Sequence, residues 1–150
     1  MRSSNSAELR FLPAGEEDAH AIFTLAMELI DRYEDYALIG RDEVAAWMER
    51  KIRLRIGEYT RLVLGGETAG YYRAARAADG SLELDDLYLY PAFQGRGIGT
   101  EVLEKSIAEA DAPIFLYVFR ANTRAIRLYE RLGFRVTEEV SPTRCIMRRA

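Results

Sequence analysis

The sequence predicts a mixed α/β (α+β) domain in which helices cover a central sheet. Three observations carry that reading. Apolar residues recur at helical spacing in four separate segments, and the middle of the chain alternates as strands do around the turn Gly65-Gly66. The run "PIFLYVF" is almost continuously apolar, as a strand with apolar cover on both faces would be. With 150 residues, 49% of them hydrophobic, the chain is long enough for one real core. Residues 1–6 read as a flexible polar start and residues 7–150 as a single domain.

The elements follow in order. "ELRFLP" is a short strand stopped by Pro13. "AGEEDAHAIFTLAMELIDRYE" has acids in its first turn and an apolar stripe through Ala21, Ile22, Leu25, Leu29 and Ile30, a helix. "DYALIG" interrupts it, and "RDEVAAWMERKIRLRI" is a second helix closed by Gly57. "YTRLVLGG", "TAGYYRAARA" and "SLELDDLYLYP" are three strands. In the last, Leu82 and Leu84 share a face and so do Leu87 and Leu89, but strict alternation cannot put both pairs on the same face. Either one extra residue is absorbed at Asp85-Asp86 as a β-bulge, or the strand starts only at Asp86. Then Ile98, Val102, Leu103 and Ile107 mark a third helix, and "PIFLYVF" a strand. "NTRAIRLYERLG" is a fourth helix with Asn122 as N-cap and Gly133 as its stop. "FRVTEEVSPTRCIMRR" ends the chain as two strands, which brings the sheet to about seven strands and the helices to four.

Composition removes several functions. Twenty-four acidic against 21 basic residues give a formal charge of −3, without the basic stripe of a nucleic-acid binder. One cysteine, Cys145, excludes an internal disulfide and a cysteine-based metal cage, and is expected to be a buried structural thiol. The lone His20 lacks the partners of a triad or metal site, so no metal is expected. No apolar run reaches membrane-spanning length and the start lacks a signal-peptide core, so the expectation is a cytoplasmic protein with no membrane partner.

The stretch "YPAFQGRGIGTEV" places Gly95, Gly97 and Gly99 where a strand turns into a helix. Unpaired amides and partial positive charge at a helix start bind anions, and glycines let a ligand reach them. Gly95 through Thr100 therefore read as a phosphate or pyrophosphate site, with Arg96 adding charge at its rim. A Walker loop is absent because no Gly-Lys pair exists. A dinucleotide fingerprint fails because Thr100 stands where its third glycine is required, which argues against an oxidoreductase.

These residues resemble the Q/R-x-x-G-x-G/A acetyl-CoA loop of the GNAT acetyltransferases, with Gln94, Gly97 and Gly99 at its motif positions. A second family segment follows in "YVFRANTRAIRLYERLGF", where Asn122, Ala125, Tyr129, Gly133 and Phe134 match. The resemblance implies the GNAT fold, a mixed and mostly antiparallel sheet flanked by four helices, with acetyl-CoA as acyl donor. It implies that the backbone of Leu87, Tyr88 and Leu89 meets pantetheine, that the Leu89 amide polarises the thioester carbonyl, and that residues from Gln94 through Ile98 to Thr100 hold the pyrophosphate. Asn122 would bond the cofactor arm, and Tyr129 would be the general acid for the departing thiolate. For the base, Asp85 and Asp86 resemble the acidic pair of diamine acetyltransferases and rank above Glu83, without an order between the two.

Acceptor choice in this family sits between the first two helices, where Asp31, Glu34 and Asp35 interleave with Tyr33 and Tyr36. Acids beside aromatics suit a small cationic amine. Ribosomal-type N-terminal acetyltransferases carry a glutamate where this chain has Tyr117, which makes a protein N-terminus a weaker expectation. The reading is an N-acetyltransferase acting by direct attack on acetyl-CoA. A protein N-terminal or lysine acetyltransferase and a non-catalytic acyl-CoA-binding module are the alternatives. Many relatives in this family pair as dimers, so a homodimer is a further expectation of the resemblance.

Overall fold

The structure, a computed structural model, describes residues 8–150, except the side chain of Asp86. The expected flexible start at residues 1–6 lies outside them, as does any contact of the Asp86 carboxylate. The elements are β1 (Arg10–Pro13), α1 (Ala19–Tyr33), α2 (Arg41–Leu54), β2 (Tyr59–Leu64), β3 (Glu67–Arg76) and β4 (Leu82–Leu89). They continue with α3 (Ile98–Glu109), β5 (Ile114–Phe119), α4 (Thr123–Arg131), β6 (Arg135–Glu139) and β7 (Arg144–Arg149). The sheet has seven strands in the order β1-β2-β3-β4-β5-β7-β6, antiparallel throughout except for the parallel pair β4–β5. The order of strands and helices is the one the sequence predicts.

Helical periodicity decides which faces are buried. On α1, Ile22, Leu25, Ala26 and Ile30 turn inward and pack with Met48 and Ile52 of α2 against Tyr59, Tyr71 and Tyr88 of the sheet. Each such aliphatic side chain stabilises the fold by roughly 1.5–3 kcal/mol when fully buried. On the opposite face, Leu103 of α3 packs with Leu84, Leu116, Val118, Phe134 and Met147. Ile98 and Val102 lie beside Leu62 and Ala69, with Leu87 and Leu89 against them. The buried Asp18 accepts hydrogen bonds from the Tyr71 hydroxyl at 2.8 Å and the Gly15 amide at 2.9 Å. Burial, then the Asp18 carboxylate, pushes the Tyr71 phenol well above its usual value.

The leucine parity of β4 has its expected cause. Arg73 pairs with Asp85 and Tyr71 with Tyr88, so two steps on β3 span three on β4. The strand runs from Leu82, which removes the reading that starts it at Asp86. Because of the extra residue, Leu84, Leu87 and Leu89 all face α3, while Tyr88 packs against α1 and α2. Just past the bulge the strands come very close. A Cβ on Gly70 would lie 2.0 Å from the Tyr88 carbonyl oxygen.

β5 departs from its expectation of apolar cover on both faces. Leu116 and Val118 are buried toward α3 and α4, but Tyr117 and Phe119 are only partly covered. The Arg144 guanidinium of the neighbouring β7 lies over both rings, at 5.0 and 5.8 Å from their centroids. Aromatic rings can be covered by a cation as well as by an apolar side chain, and an apolar run does not distinguish the two.

Gly70→Ala should lower the unfolding free energy by about 1–3 kcal/mol in urea, because the added methyl meets backbone. An unchanged midpoint would contradict the close approach of β3 and β4.

Candidate active site

The glycine turn is built by two left-handed residues, Gly95 at φ 72° and Gly97 at φ 80°. Gly97 is the N-cap of α3 and offers no side chain to the amides there, so they are left to other acceptors. The Gln94 side-chain amide donates to the Leu89 carbonyl at 3.0 Å and ties the turn to the end of β4. From α4, the Arg124 Nη2 lies 3.7 Å from where a Cβ on Gly95 would be, and the Leu128 Cδ2 3.8 Å from the same point on Gly99. Arg96, expected at the rim, bonds the Ala92 carbonyl at 3.4 Å and stacks on Phe93.

β4 and β5 pair only at Leu82↔Ile114 and Glu83↔Phe115. Beyond these pairs they separate, and a cleft of about 1430 Å³ opens between them. The Tyr90 amide bonds Ala69 of β3 at 2.9 Å. By alternation along the strand, the amides of Leu89 and Leu87 then point the other way, into the cleft.

The cleft brings together most of the predicted residues. Asp85, Leu87, Tyr88 and Leu89 line it from β4; Gln94, Gly95 and Gly97 from the turn; Ile98, Gly99 and Thr100 from the start of α3; Asn122 and Tyr129 from the cap and the body of α4. Asn122 also caps α4, its side-chain oxygen accepting from the Ala125 amide at 3.3 Å. Tyr129 is pushed up to about 12, by burial first and then by the negative charge of Asp85. A phenol so raised keeps its proton at neutral pH. Glu83 and Arg96 do not line the cleft.

Asp85 does not stand alone. Its Oδ2 accepts from the Lys51 ammonium at 2.8 Å and from Arg73 Nη1 at 3.4 Å. Arg73 also pairs with Glu83 at 3.3 Å and Glu58 at 2.8 Å. The side chains of Asp85, Lys51 and Arg73 are 12%, 13% and 5% exposed, so these are largely desolvated pairs rather than surface contacts. Burial pulls the Arg73 guanidinium down, but the carboxylates of Glu58, Glu83 and Asp85 outweigh it and hold it above the ordinary arginine value.

Near the loop between α1 and α2, Tyr33 and Glu34 line the cleft, whereas Asp31, Asp35 and Tyr36 do not. Asp31 accepts from Arg41 at 2.8 and 3.0 Å and from the Tyr36 hydroxyl at 2.7 Å. Arg41, then Tyr36, holds its carboxyl below the usual range. Asp35 accepts from the Ala37 amide at 2.9 Å. Both acids therefore shape the loop itself. Glu34 accepts the Thr143 hydroxyl at 2.6 Å, and Tyr33 stacks on Phe119 with centroids 5.8 Å apart.

Lys51, Arg73, Trp47 and Arg124 are the contacts that sequence reasoning missed. One signal was available for Lys51: the chain holds two lysines against nineteen arginines. Cys145 is buried, and burial raises its thiol. Among the described residues no helix is long and apolar enough to cross a membrane.

The model of the acetyltransferase (GNAT) family matches residues 21–134, most of the chain. The chain belongs to the GNAT family. An uncharacterized N-acetyltransferase of Mycobacterium tuberculosis (strain H37Rv) is 33% identical over 75 residues, covering 47% of this chain and 48% of that protein. The spermine/spermidine N(1)-acetyltransferase of Bacillus subtilis is 33% identical over 67 residues, covering 41% and 44%. The chain thus spans about half the length of the curated relatives it matches. The PaiA N-acetyltransferase of Thermoplasma acidophilum, solved in complex with coenzyme A, has the same fold. Its TM-score is 0.70 at 21% identity, covering 95% of this chain and 98% of that one.

In this GNAT chain Asp85→Asn leaves Lys51 and Arg73 largely buried opposite a neutral amide. Urea unfolding at neutral pH should show a loss of about 3 kcal/mol. A loss below about 1 kcal/mol, the size of a surface pair, would contradict the buried network.

Proposed function

We propose that residues 7–150 act as one acetyltransferase domain that moves the acetyl group of acetyl-CoA to a primary amine by direct attack, both substrates being bound together. One observation carries this reading: the β4–β5 cleft has strand amides along one wall, a ligand-ready glycine turn at its mouth and Tyr129 on the facing helix. The anion site suits the pyrophosphate because Gly97 leaves its helix amides uncapped by a side chain. Arg124, beside Gly95, adds a cation from the other side. The amides of Leu87 and Leu89 suit the pantetheine arm, and the Leu89 amide suits the thioester oxygen, where negative charge grows as the amine attacks.

Two proton transfers are required. The amine must lose a proton, and the departing sulfur is helped by gaining one. Tyr129 is the acid for the sulfur, since its raised phenol holds its proton at working pH. The proton from the amine goes to an aspartate of β4, directly or through water. Asp85 lines the cleft, and Asp86 remains its equal candidate. Glu83 turns to Arg73 outside the lining, which favours the aspartates over it.

The acceptor is a small cationic amine. Glu34, Glu43 and Asp85 line the acceptor end beside Tyr33 and Trp47, a set that attracts an ammonium by charge and by ring faces. The polyamine substrate named for the Bacillus relative supports the same class. An amine carried on a peptide is the second reading, favoured by the apolar rim formed by Leu38, Ile39 and Trp47, which are 84%, 55% and 50% exposed.

Release of coenzyme A thiol with pooled amines tests the proposal, a polyamine pool being expected to respond and a basic-peptide pool to respond if the second reading holds. Binding of acetyl-CoA without release in any pool would leave only an acyl-CoA-binding module. Tyr129→Phe should lower kcat roughly 100-fold or more with little change in KM for acetyl-CoA. With the native tyrosine, kcat should rise with pH as the amine deprotonates and show no alkaline fall before about pH 10, because the acid is still protonated there. An equal kcat in the variant, or a fall near pH 9, would contradict the assignment. Arg124→Ala should raise KM for acetyl-CoA about tenfold, near 1.4 kcal/mol, and leave kcat in place. An unchanged KM would remove Arg124 from the phosphate site.

A further inference from the structure

Lys51 is the one lysine that lines the cleft. Its Nζ sits 2.8 Å from Asp85 Oδ2 and 5.5 Å from the centroid of the Trp47 ring. A primary ammonium held by a carboxylate and an aromatic face is the arrangement proposed for the incoming acceptor. Here the ammonium belongs to the protein. Asp85 in turn lies close enough to Tyr129 for its charge to act on the phenol. The other lysine, Lys105, is on α3, bonds Glu109 at 2.9 and 2.8 Å, and is outside the cleft lining.

The residue type matters as much as the place. A guanidinium would pair with Asp85 more firmly through its planar fork, and the chain uses arginine at nineteen of its twenty-one basic positions. What lysine offers and arginine does not is a nitrogen that becomes a nucleophile on losing one proton.

We propose that Lys51 is an acetyl acceptor for its own active site, acetylated from acetyl-CoA bound in the same cleft. The proposal rests on the acetyl-transfer reading above. The Lys51 ammonium passes one proton to the Asp85 carboxylate and on to water. The freed Nζ pair forms a bond to the acyl carbon, the nitrogen gives its second proton to water, the C–S bond breaks, and the departing sulfur takes the Tyr129 proton, which solvent restores. The product amide carries no charge. Asp85 then keeps Arg73 at 3.4 Å but loses the ammonium, so the acceptor end becomes more negative by one unit. That change favours a cationic amine near Asp85, and self-acetylation primes the site for its external substrate.

The test incubates the whole chain, first checked by intact mass, with acetyl-CoA carrying a deuterated acetyl group, and maps the label by peptide mass. One label is expected on Lys51 and none on Lys105, at a rate per molecule that does not depend on protein concentration. Lys51→Arg should abolish it, and Tyr129→Phe should slow it roughly 100-fold. Equal labelling of Lys105, or a Lys51 rate untouched by Tyr129→Phe, would mean uncatalysed chemistry and overturn the proposal. No label on Lys51 while the same preparation acetylates a pooled amine would overturn it and leave the transferase standing. No label and no amine product would overturn both.

Discussion

The parallel pairing of β4 with β5 stops after Leu82↔Ile114 and Glu83↔Phe115, and the cleft-facing amides of Leu87 and Leu89 are thereby left without a strand to bond. Unpaired backbone groups are tolerated where water or a ligand can reach them, which ties this break to the open cleft. The fold holds the break in place from both sides. The bulge between Asp85 and Tyr88 bends β4 and resets its faces, and the side-chain-free Gly70 lets β3 follow it closely. Separate apolar clusters on the two sheet faces hold β4 to α1–α2 and to α3. The strands part without the core parting.

Charge is organised around the same bend. The extra residue puts Asp85 on the α2 side, where Lys51 and Arg73 meet it, instead of against the apolar face of α3. The network continues through Arg73 to Glu58 and Glu83, so one buried guanidinium gathers three carboxylates. A carboxylate held this way keeps a fixed position, and the raised phenol of Tyr129 reflects its own burial first and then the charge of Asp85.

Much of this was legible because it is written in local patterns. The leucine parity of 82, 84, 87 and 89 narrowed β4 to a bulge at Asp85-Asp86 or a late strand start, since a period-two element cannot hide an added residue, and the register with β3 decides for the bulge. The glycine turn and the Asn122 cap were readable because both are backbone requirements of adjacent residues. What was not legible is tertiary. The Lys51–Asp85 contact joins residues 34 apart, and nothing in either neighbourhood signals the other. Asp31 and Asp35 read as acceptor-site acids because their spacing beside tyrosines is the same whether they face a ligand or close a loop on Arg41 and Ala37. Arg144 over Tyr117 and Phe119 was invisible for the same reason, the two strands meeting only in the sheet.

The most direct measurement is residue-resolved amide hydrogen exchange with and without saturating coenzyme A. If the parted strands are the cofactor's berth, the amides of Leu87 and Leu89 exchange fast alone and slow on binding, together with those of residues 95–100. The amides pairing β1 with β2 stay unchanged. Slowing confined to the glycine turn, with Leu87 and Leu89 unaffected, would contradict the account, since coenzyme A would then bind by its phosphates without entering the cleft.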